Sequence, residues 1–417
     1  PVGRAADAAL EQFRPDVAVD AEGNALAVWD QAPEGRDEED IWANYYSAEE
    51  QSWGTAELIE NTDTGPALFP RIAIHTDGDA VVVWQQVNEE GVRDVWSNRY
   101  TREAGWGTEE RIDNGSGDAR LPQVAIDPSG TAVAVWYQSD GDYDSVYSSR
   151  LPSNGVWSDP TPIEDEGGDA RRPQVATDSV GAVVVWEHEK GSRSVVFANR
   201  ATADGSWRRE ERPIDFAAGD SAEQPHVATD GSGYAIAVWR QFDGTSYKVW
   251  FNRYTDAAGD WGTASVIEAP VAGDVSTPQI AMGPAGTAVA VWSQFDGVNY
   301  DIWASRYTQG ASWGIPERIG ASNQGEALNP RVAVDADDGA VAVWTQPDGP
   351  ETAIWSNRYT EGSGWGVAER NNPAATGSAE SARVAVGPNG NAVAIWTQFV
   401  RGTEQIWSSR LQQRAPQ

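Results

Sequence analysis

Eight copies of one six-residue motif predict an all-β fold, an eight-bladed β-propeller with four antiparallel strands in each blade. The copy at 122–127 reads PQVAID, and successive copies begin 51 to 55 residues apart. Each repeat of about 52 residues contains four short segments in which apolar side chains alternate with a period of two, and none with a helical period. We therefore expect a single domain over residues 1–417. Its blades begin near residues 15, 70, 122, 173, 225, 278, 330 and 382.

The third repeat shows the elements of one blade in order. Strand A (123–127) is short and alanine-centred, which suits the crowded channel at the axis. After a Pro-Ser-Gly turn, strand B (131–138) is apolar on both faces and so must be covered on both sides. Strand C (145–151) follows a loop that contains Asp-Gly, and a weaker strand D (157–163) suits the outer rim. A connector rich in glycine and acids (164–172) leads to the next repeat.

A blade cannot bury both faces of its sheet alone, so neighbouring blades must stack and the ring must close. The eighth repeat stops after strand C (405–411), whereas the N-terminal segment 1–15 aligns with the end of a strand D and its connector. We predict that this segment supplies the outer strand of the eighth blade, which pairs the two chain ends. The alternative is a strand donated by another chain, giving a homo-oligomer or larger assembly. A right-handed β-solenoid is the second fold hypothesis, although its coils usually have only ~20–30 residues.

The composition restricts the classes of function. Thirty basic residues face 63 acidic ones, for a net charge of −33, which argues against binding to nucleic acid or anionic membranes. Only Lys190 and Lys248 are lysines, and an acidic, lysine-poor surface is typical of salt-adapted or extracellular proteins. The absence of cysteine excludes disulfides and thiolate sites. No apolar run approaches the ~18 residues that a segment needs to span a bilayer. We expect an extracellular or cell-surface location, with the periplasm as the alternative and any signal peptide outside this chain.

Twenty-one tryptophans occupy three positions of the repeat: within strand B, within strand C and at the start of strand D. A large aromatic residue used in every unit first indicates packing between twisted sheets. A glutamine follows the strand-B tryptophan by two residues in seven repeats, and an arginine closes strand C in seven. We interpret the glutamine as a tie to strand ends or loop backbone, and the arginine as the partner of a neighbouring carboxylate or tryptophan.

The competing hypothesis for these residues is a repeated sugar pocket. An indole face would receive the sugar ring, glutamine and arginine would bind its hydroxyls, and several weak sites would add up through avidity. The strand-D tryptophans lie beside an exposed hairpin and are the best candidates. They include Trp106, Trp261 and Trp313.

With strand A innermost, the D–A connectors and the B–C loops share one face of the ring, which we call the loop face. Both sets of loops are acidic, and clustered carboxylates repel unless salt screens them or a cation bridges them. We take their carboxylates as candidate binding groups for a carbohydrate or a protein partner. In the connectors they are Asp118, Asp169, Asp220, Asp274 and Glu326, and in the B–C loops Asp140, Asp243, Asp296 and Asp348.

One B–C loop contains alternating acids, Asp140, Asp142 and Asp144, as calcium-binding loops do. It lacks the glycine and the distal glutamate of an EF-hand in register. Calcium at these three residues is therefore the one candidate cofactor, and the alternative is a solvated surface with no cofactor.

The sequence offers little support for catalysis. His75, His188 and His226 lie at non-equivalent places in three repeats, and no nucleophile elbow, phosphate loop or zinc spacing is present. A pair of carboxylates for glycoside hydrolysis or lyase chemistry stays open, because 63 acids make chance pairs abundant.

Residues 306–313 read RYTQGASW and partly match the Asp-box pattern Ser-x-Asp-x-Gly-x-x-Trp. Gly310 and Trp313 fit this pattern, whereas Arg306 and Thr308 stand where the serine and the aspartate belong. Over essentially the whole chain, the repeat resembles that of bacterial lectin-like and sialidase-like propellers, in architecture only. The resemblance implies the fold and identifies no catalytic residue.

From these observations we predict an exported, non-catalytic binding or scaffold propeller that recognises a carbohydrate or a protein partner through its loop face. A structural subunit of an extracellular assembly is one alternative, and a carbohydrate-active hydrolase or lyase is the other. Accessible strand-D tryptophans in the grooves between blades would favour a lectin, whereas one asymmetric pocket would favour an enzyme.

Overall fold

The structure is a computed structural model that describes residues 15–33, 38–62, 64–115, 117–153, 155–208, 211–216, 220–255, 259–267, 269, 271–321, 325–373 and 376–412. These residues form eight antiparallel sheets, one from each repeat, arranged in a ring as blades 1 to 8. Within the described ranges there is no helix that is long and apolar enough to cross a membrane. The predicted all-β, eight-bladed propeller is confirmed.

The three inner strands of every blade run antiparallel in the order A, B, C from the axis outward. The A strands are Asp16–Val19, Ala67–Ile74, Ala119–Ile126, Ala170–Asp178, Ala222–Thr229, Val275–Met282, Leu328–Val334 and Ala379–Val386. The B strands are Ala25–Gln31, Ala80–Val87, Ala132–Ser139, Gly181–Lys190, Ala235–Phe242, Ala288–Phe295, Ala340–Asp348 and Ala392–Val400. The C strands are Asp40–Ser47, Arg93–Thr101, Asp144–Leu151, Arg193–Thr202, Tyr247–Thr255, Tyr300–Tyr307, Glu351–Thr360 and Thr403–Leu411.

The outer strand D differs from the sequence prediction, because it pairs with strand C in short segments rather than continuously. In blade 3, for example, Pro160 and Pro162 lack the N–H groups that a continuous ladder requires. Blade 8 has no fourth strand among the described residues, and the predicted N-terminal strand lies in residues 1–14, outside them. The outer segments are Ser52–Trp53, Glu57–Leu58, Gly105–Trp106, Glu110–Arg111, Thr161–Pro162, Arg212–Pro213, Asp260–Trp261, Ser265–Ile267, Glu317–Arg318, Gly364–Trp365 and Glu369–Arg370.

The hydrophobic core lies between the blades, in layers that two neighbouring sheets build together. Between blades 3 and 4, Val133 packs with Trp186 and Phe197. The same arrangement closes the ring, because Trp29 of blade 1 and Ile395 of blade 8 share one layer. The strand-B tryptophan is at most 7% exposed in every blade, which confirms its predicted packing role.

In blades 2, 3 and 5 to 8, the strand-B tryptophan and glutamine tie the sheet to the connector before it. In blade 6, Trp292 Nε1 donates to Gln294 Oε1 at 3.0 Å, and Gln294 Nε2 donates to the carbonyl oxygen of Gly273 at 2.9 Å. The indole–amide bond recurs in seven blades. In blade 4 the glutamine is replaced, and the Trp186 Nε1 and His188 Nδ1 atoms are buried without a hydrogen-bond partner. The interpretation of the glutamine as a tie to loop backbone is confirmed.

The arginines that close strand C join neighbouring blades. Arg200 of blade 4 forms a buried ion pair with Asp178 at 2.7 Å and lies 4.7 Å from the ring centre of Tyr254 in blade 5. Arg253 of blade 5 lies 5.5 Å from the ring centre of Tyr307 in blade 6. A carboxylate partner was expected and is present, but the stacking partner is a tyrosine of the next blade rather than a tryptophan.

Candidate functional site

In blades 2 to 8, strand A is interrupted just before the residue that leads the repeated motif. Its pairing with strand B skips from Arg120 to Gln123 in blade 3, so two residues bulge out of the ladder. The first bulged residue has a positive φ of 47–57° in all seven blades, although none is glycine. Such a backbone is costly for a residue with a Cβ and must be held by its surroundings. The Leu121 N–H, for example, donates to Gln85 Oε1 of the neighbouring blade at 3.0 Å.

In blades 2 to 8 the bulge directs the second residue of each motif toward the axis of the ring. These seven side chains and Asp16, the second residue of the motif in blade 1, line one cavity of about 650 Å³, and we call the eight together the channel ring. Glu326 of a connector, Glu380 at the start of strand A in blade 8 and Thr352 at the start of strand C in blade 7 also line it, so the cavity lies at the loop-face mouth of the channel. Its volume is in the range of small-ligand sites. The channel ring consists of Asp16, Arg71, Gln123, Gln174, His226, Gln279, Arg331 and Arg383.

The channel ring is divided into a charged half and a neutral half. Blades 7, 8, 1 and 2 contribute three arginines and Asp16, whereas blades 3 to 6 contribute three glutamines and a histidine. Each arginine donates from Nη1 to the carbonyl oxygen of the residue before it, at 2.9 Å for Arg71, 3.1 Å for Arg331 and 3.2 Å for Arg383. Arg383 Nε also lies 3.8 Å from Asp16 Oδ1. These contacts hold the guanidinium groups at the wall of the cavity.

In the neutral half, two glutamines make the same bond to their own bulges. Gln174 Nε2 donates to the Pro173 carbonyl oxygen at 3.0 Å, and Gln279 Nε2 to the Pro278 carbonyl oxygen at 2.9 Å. Because the amide nitrogen faces the wall, each amide keeps its oxygen as a hydrogen-bond acceptor.

His226 completes the neutral half. Burial, with the charges of Arg331 and Arg383 as further causes, lowers the pKa of His226 to about 3, so the imidazole is neutral at physiological pH. Its Nδ1 atom is enclosed and has no hydrogen-bond partner. The neutral imidazole adds no positive charge to this side of the cavity.

A fourth arginine, Arg172, lines the cavity at the bulge of blade 4 but has a structural partner. Its guanidinium lies 3.2 Å from the Glu187 carboxylate, which also accepts the Gln224 N–H at 2.6 Å. Burial raises the pKa of Glu187, and pairing with Arg172 opposes that change. This pair therefore holds the bulges of blades 4 and 5 together.

The structure places most of the predicted connector carboxylates at the start of strand C, not in the cavity. Asp118 accepts the Arg93 N–H at 2.9 Å, Asp169 accepts the Asp144 N–H at 3.1 Å, and Asp274 accepts the Tyr247 N–H at 2.9 Å. Asp220 accepts the N–H of the serine that follows it at 2.9 Å. Glu326 is the predicted carboxylate that lines the channel cavity. A ligand-binding role for the others stays a prediction.

The predicted B–C loop carboxylates shape their own turns. Asp140 accepts the N–H groups of Asp142 and Tyr143, both at 2.8 Å, and Asp243 and Asp296 make the equivalent pairs of bonds. Asp348 is ion-paired with Arg370. Within the part of the chain that the structure describes, no group of three or more acidic or histidine side chains is placed to hold a metal ion. Calcium at Asp140, Asp142 and Asp144 stays a prediction.

All strand-D tryptophans are half-buried, and each of the other tryptophans is half-buried or buried. The rings of Trp106, Trp261 and Trp313 pack on strand-C tyrosines of their own blades, with ring centres 5.3, 5.9 and 5.6 Å apart. Others bridge blades, as where Trp157 Nε1 donates to Ser97 Oγ at 2.7 Å. These contacts account for the tryptophans without a bound sugar. Sugar binding at them remains a prediction.

The sequence reasoning missed the channel ring. A signal was present, because the second residue of the motif is polar in every repeat but varies in type: Asp, Arg, Gln, Gln, His, Gln, Arg and Arg from blade 1 to blade 8. A polar residue of variable type between apolar neighbours indicates a side chain that faces a solvent-filled space.

Comparison with known proteins supports the class of fold. No family model matches the chain, and no curated protein matches it. The solved Dos1 propeller superposes with a TM-score of 0.56 at 7% identity, over 94% of this chain and 91% of that one. At this identity the likeness shows the propeller fold alone.

Two solved carbohydrate-active enzymes also match the chain, at lower TM-scores. The NanB sialidase from Streptococcus pneumoniae has a TM-score of 0.41 at 9% identity, over 81% of this chain and 66% of that one. The GH93 alpha-L-arabinofuranosidase of Fusarium graminearum has a TM-score of 0.43 at 12% identity, over 72% of this chain and 95% of that one. The chain thus spans just under two thirds of the sialidase, and we transfer no activity from either enzyme.

Proposed function

We propose that this protein is an exported binding propeller that holds a small anionic ligand at the loop-face mouth of its channel. The observation that supports the proposal is the cluster of Arg71, Arg331 and Arg383 in one half of the channel ring. The chain as a whole is strongly acidic, with a net charge of −33. The channel mouth therefore suits an anionic ligand, whereas the acidic remainder of the surface repels one.

The fold itself does not require these arginines. The equivalent positions in blades 3, 4 and 6 are glutamines, and their bulges have the same positive φ. Like charges that line one cavity repel, so concentrating them is unfavourable without a counter-charge. Asp16 lies beside Arg383 in the same half of the ring. Guanidinium groups bind carboxylates through paired, charge-assisted hydrogen bonds, which favours a carboxylate as the anion.

The proposal is tested by isothermal titration calorimetry of the full chain with sodium glucuronate, with glucose as the uncharged comparison. We expect glucuronate to bind with a dissociation constant of roughly 1 mM or tighter, and glucose at least about tenfold more weakly. The double variant Arg331→Gln/Arg383→Gln, which copies the residues of blades 3, 4 and 6, should lose this preference. Arg212→Gln removes a positive charge from an outer strand, outside the cavity, and should bind as the wild type does. Equal binding of glucuronate to the wild type and the double variant would overturn the proposal.

The asymmetry of the cavity favours a carbohydrate-active enzyme as the second candidate function. Asp16, Glu326 and Glu380 bring three carboxylates to its lining, the residue type that glycoside hydrolysis uses. Product release from glucuronide-containing oligosaccharides, followed by chromatography, distinguishes the two functions. Turnover that is lost in Glu326→Gln would establish the enzyme, and binding without turnover supports the non-catalytic propeller.

A further inference from the structure

The outer edge of blade 8 is an unpaired strand. Among the described residues no strand pairs with the outer side of Thr403–Leu411, whereas each of the other seven blades has outer segments at this place. Ile406 is half-buried, although the equivalent residue is at most 1% exposed in each of those seven blades. Ser408 is exposed, whereas Ser97 at the same position of blade 2 is 2% exposed. Such an edge presents backbone groups and apolar surface to another strand.

Alternate residues of this strand direct their backbone groups outward. In blade 2, the carbonyl oxygens of Val95 and Arg99 accept hydrogen bonds from the outer segments, both at 2.8 Å. The equivalent residues in blade 8 are Ile406 and Arg410, so the even-numbered residues of Thr403–Leu411 present their N–H and C=O groups outward. Their side chains lie on the face toward blade 1, because Ile406 packs in the layer that blades 1 and 8 share.

The same face of this strand carries two charges without an opposite partner. Burial and three nearby carboxylates raise the pKa of Glu404 to about 7, and no cation within the described ranges offsets them. Arg410 lies 5.3 Å from the ring centre of Tyr46 in blade 1 and forms no ion pair within the described ranges. The turn between strands A and B that supplies an aspartate to Arg200 in blade 4 has Gly387 at that position in blade 8.

We propose that this edge binds the same edge of a second copy of the chain, in a symmetric dimer whose two strands run antiparallel with Trp407 opposite Trp407. In this register Glu404 of each copy lies opposite Arg410 of the other, so two ion pairs form across the joined sheet. Even-numbered residues then lie opposite one another, and their outward backbone groups pair. A shift by two residues separates the charges, so the charges specify the register. The dimer is independent of the ligand proposed for the channel.

The rims beside the edge suit the same contact. Val367 in blade 7 is 86% exposed, and Leu58 in blade 1 is 42% exposed. The two-fold axis is perpendicular to the joined sheet, so each residue lies on the same side of that sheet as its counterpart in the second copy. The dimer therefore brings apolar rims toward each other on both sides of the paired strands, and burial of these side chains adds to the backbone pairing.

Sedimentation velocity of the full chain from about 1 to 100 μM tests this proposal, in about 0.3 M sodium chloride so that the net charge of −33 is screened. We expect a dimer of the 45.0 kDa chain with a dissociation constant of about 10 μM or tighter. Glu404→Arg and Arg410→Glu each place like charges opposite each other and should weaken the dimer at least about tenfold. An equimolar mixture of the two variants has opposite charges at both pairs again and should restore the dimer.

Restoration in the mixture separates the proposal from misfolding of either variant, and circular dichroism of each variant checks its fold. Glu317→Arg, in an exposed outer segment of blade 6, is the matched control and should dimerise as the wild type does. A monomeric wild type would overturn the proposal, and a dimer that then forms on removal of residues 1–14 would assign the edge to that segment. A dimer that both single variants leave intact would place the interface elsewhere and would also overturn it.

Discussion

The tie between strand B and the connector gives the sharpest test of what holds the blades together. In blade 7, Gln346 is fully buried, accepts from Trp344 Nε1 at 2.9 Å and donates to the Ala321 carbonyl oxygen at 2.9 Å. We expect Gln346→Leu to destabilise the protein, because leucine fills a similar volume but makes neither bond. Both former partners would then be left without a hydrogen bond in the interior.

The magnitude follows from these two orphaned groups. Each buried donor or acceptor that loses its partner costs about 1–3 kcal/mol, and the added apolar burial of leucine returns about 1 kcal/mol. The expected net loss is about 3 kcal/mol, more than a hundredfold in the unfolding equilibrium constant. The strand itself should remain, because its backbone ladder is unchanged.

Urea unfolding followed by tryptophan fluorescence and far-ultraviolet circular dichroism measures this loss as a lower midpoint. Hydrogen exchange should also become faster in the connector at residues 325–328. The matched control is Gln405→Leu, because Gln405 Oε1 accepts from Trp407 Nε1 at 3.2 Å with the same two-residue spacing but at an exposed place. Water replaces that bond, so the control should change by less than about 0.5 kcal/mol. Equal losses in the two variants would refute the reasoning.

Three further predictions concern the remaining buried polar groups. His188→Gln should raise the urea midpoint, with a gain of about 1–2 kcal/mol, because it gives Trp186 in blade 4 the indole–amide hydrogen bond that is present in seven blades. A lower midpoint would contradict this. Burial raises the pKa of Glu164 from 4.5 to about 7, so its protonated form favours folding below pH 4.5, and this contribution disappears as the pH rises through 7. Glu164→Gln should therefore be more stable than the wild type by up to about 3 kcal/mol at pH 8 and equal to it at pH 4, and unfolding curves with parallel pH dependence would count against it. Asp178→Ala leaves the buried Arg200 guanidinium without its partner and should cost about 3–5 kcal/mol in the same assay, whereas Asp260→Ala, in an exposed pair, should be nearly neutral.

The blade architecture could be predicted because it depends on local and repeated features. Period-two alternation and turn residues define the strands, and eight copies of them define the ring. The Trp–Gln spacing likewise predicts a tie that Trp292 and Gln294 then form. Strand D was harder to predict, because its prolines and short pairing segments leave little periodic signal in the sequence.

Most of the predicted carboxylates lie outside the channel cavity for a simple reason. Acidic loops stand out in a sequence, but carboxylates such as Asp118 and Asp140 can satisfy nearby backbone N–H groups, and only folding reveals that they do. The channel cavity opens on the loop face, since Glu326 of a connector lines it. Its ligand and the role of the remaining carboxylates stay predictions.

The sequence by itself determined the eight sheets, their strand order and the packing role of the strand-B tryptophans, because each of these follows from residues close together in the chain. Only the tertiary structure decided that Arg331, Arg383 and His226 line one cavity. These residues lie on different blades and meet when the ring closes. The bulge that directs them inward also runs against local expectation, because the residue before a proline, as at Leu121, rarely has a positive φ. Contacts with the neighbouring blade stabilise that conformation, and no short stretch of sequence contains both partners.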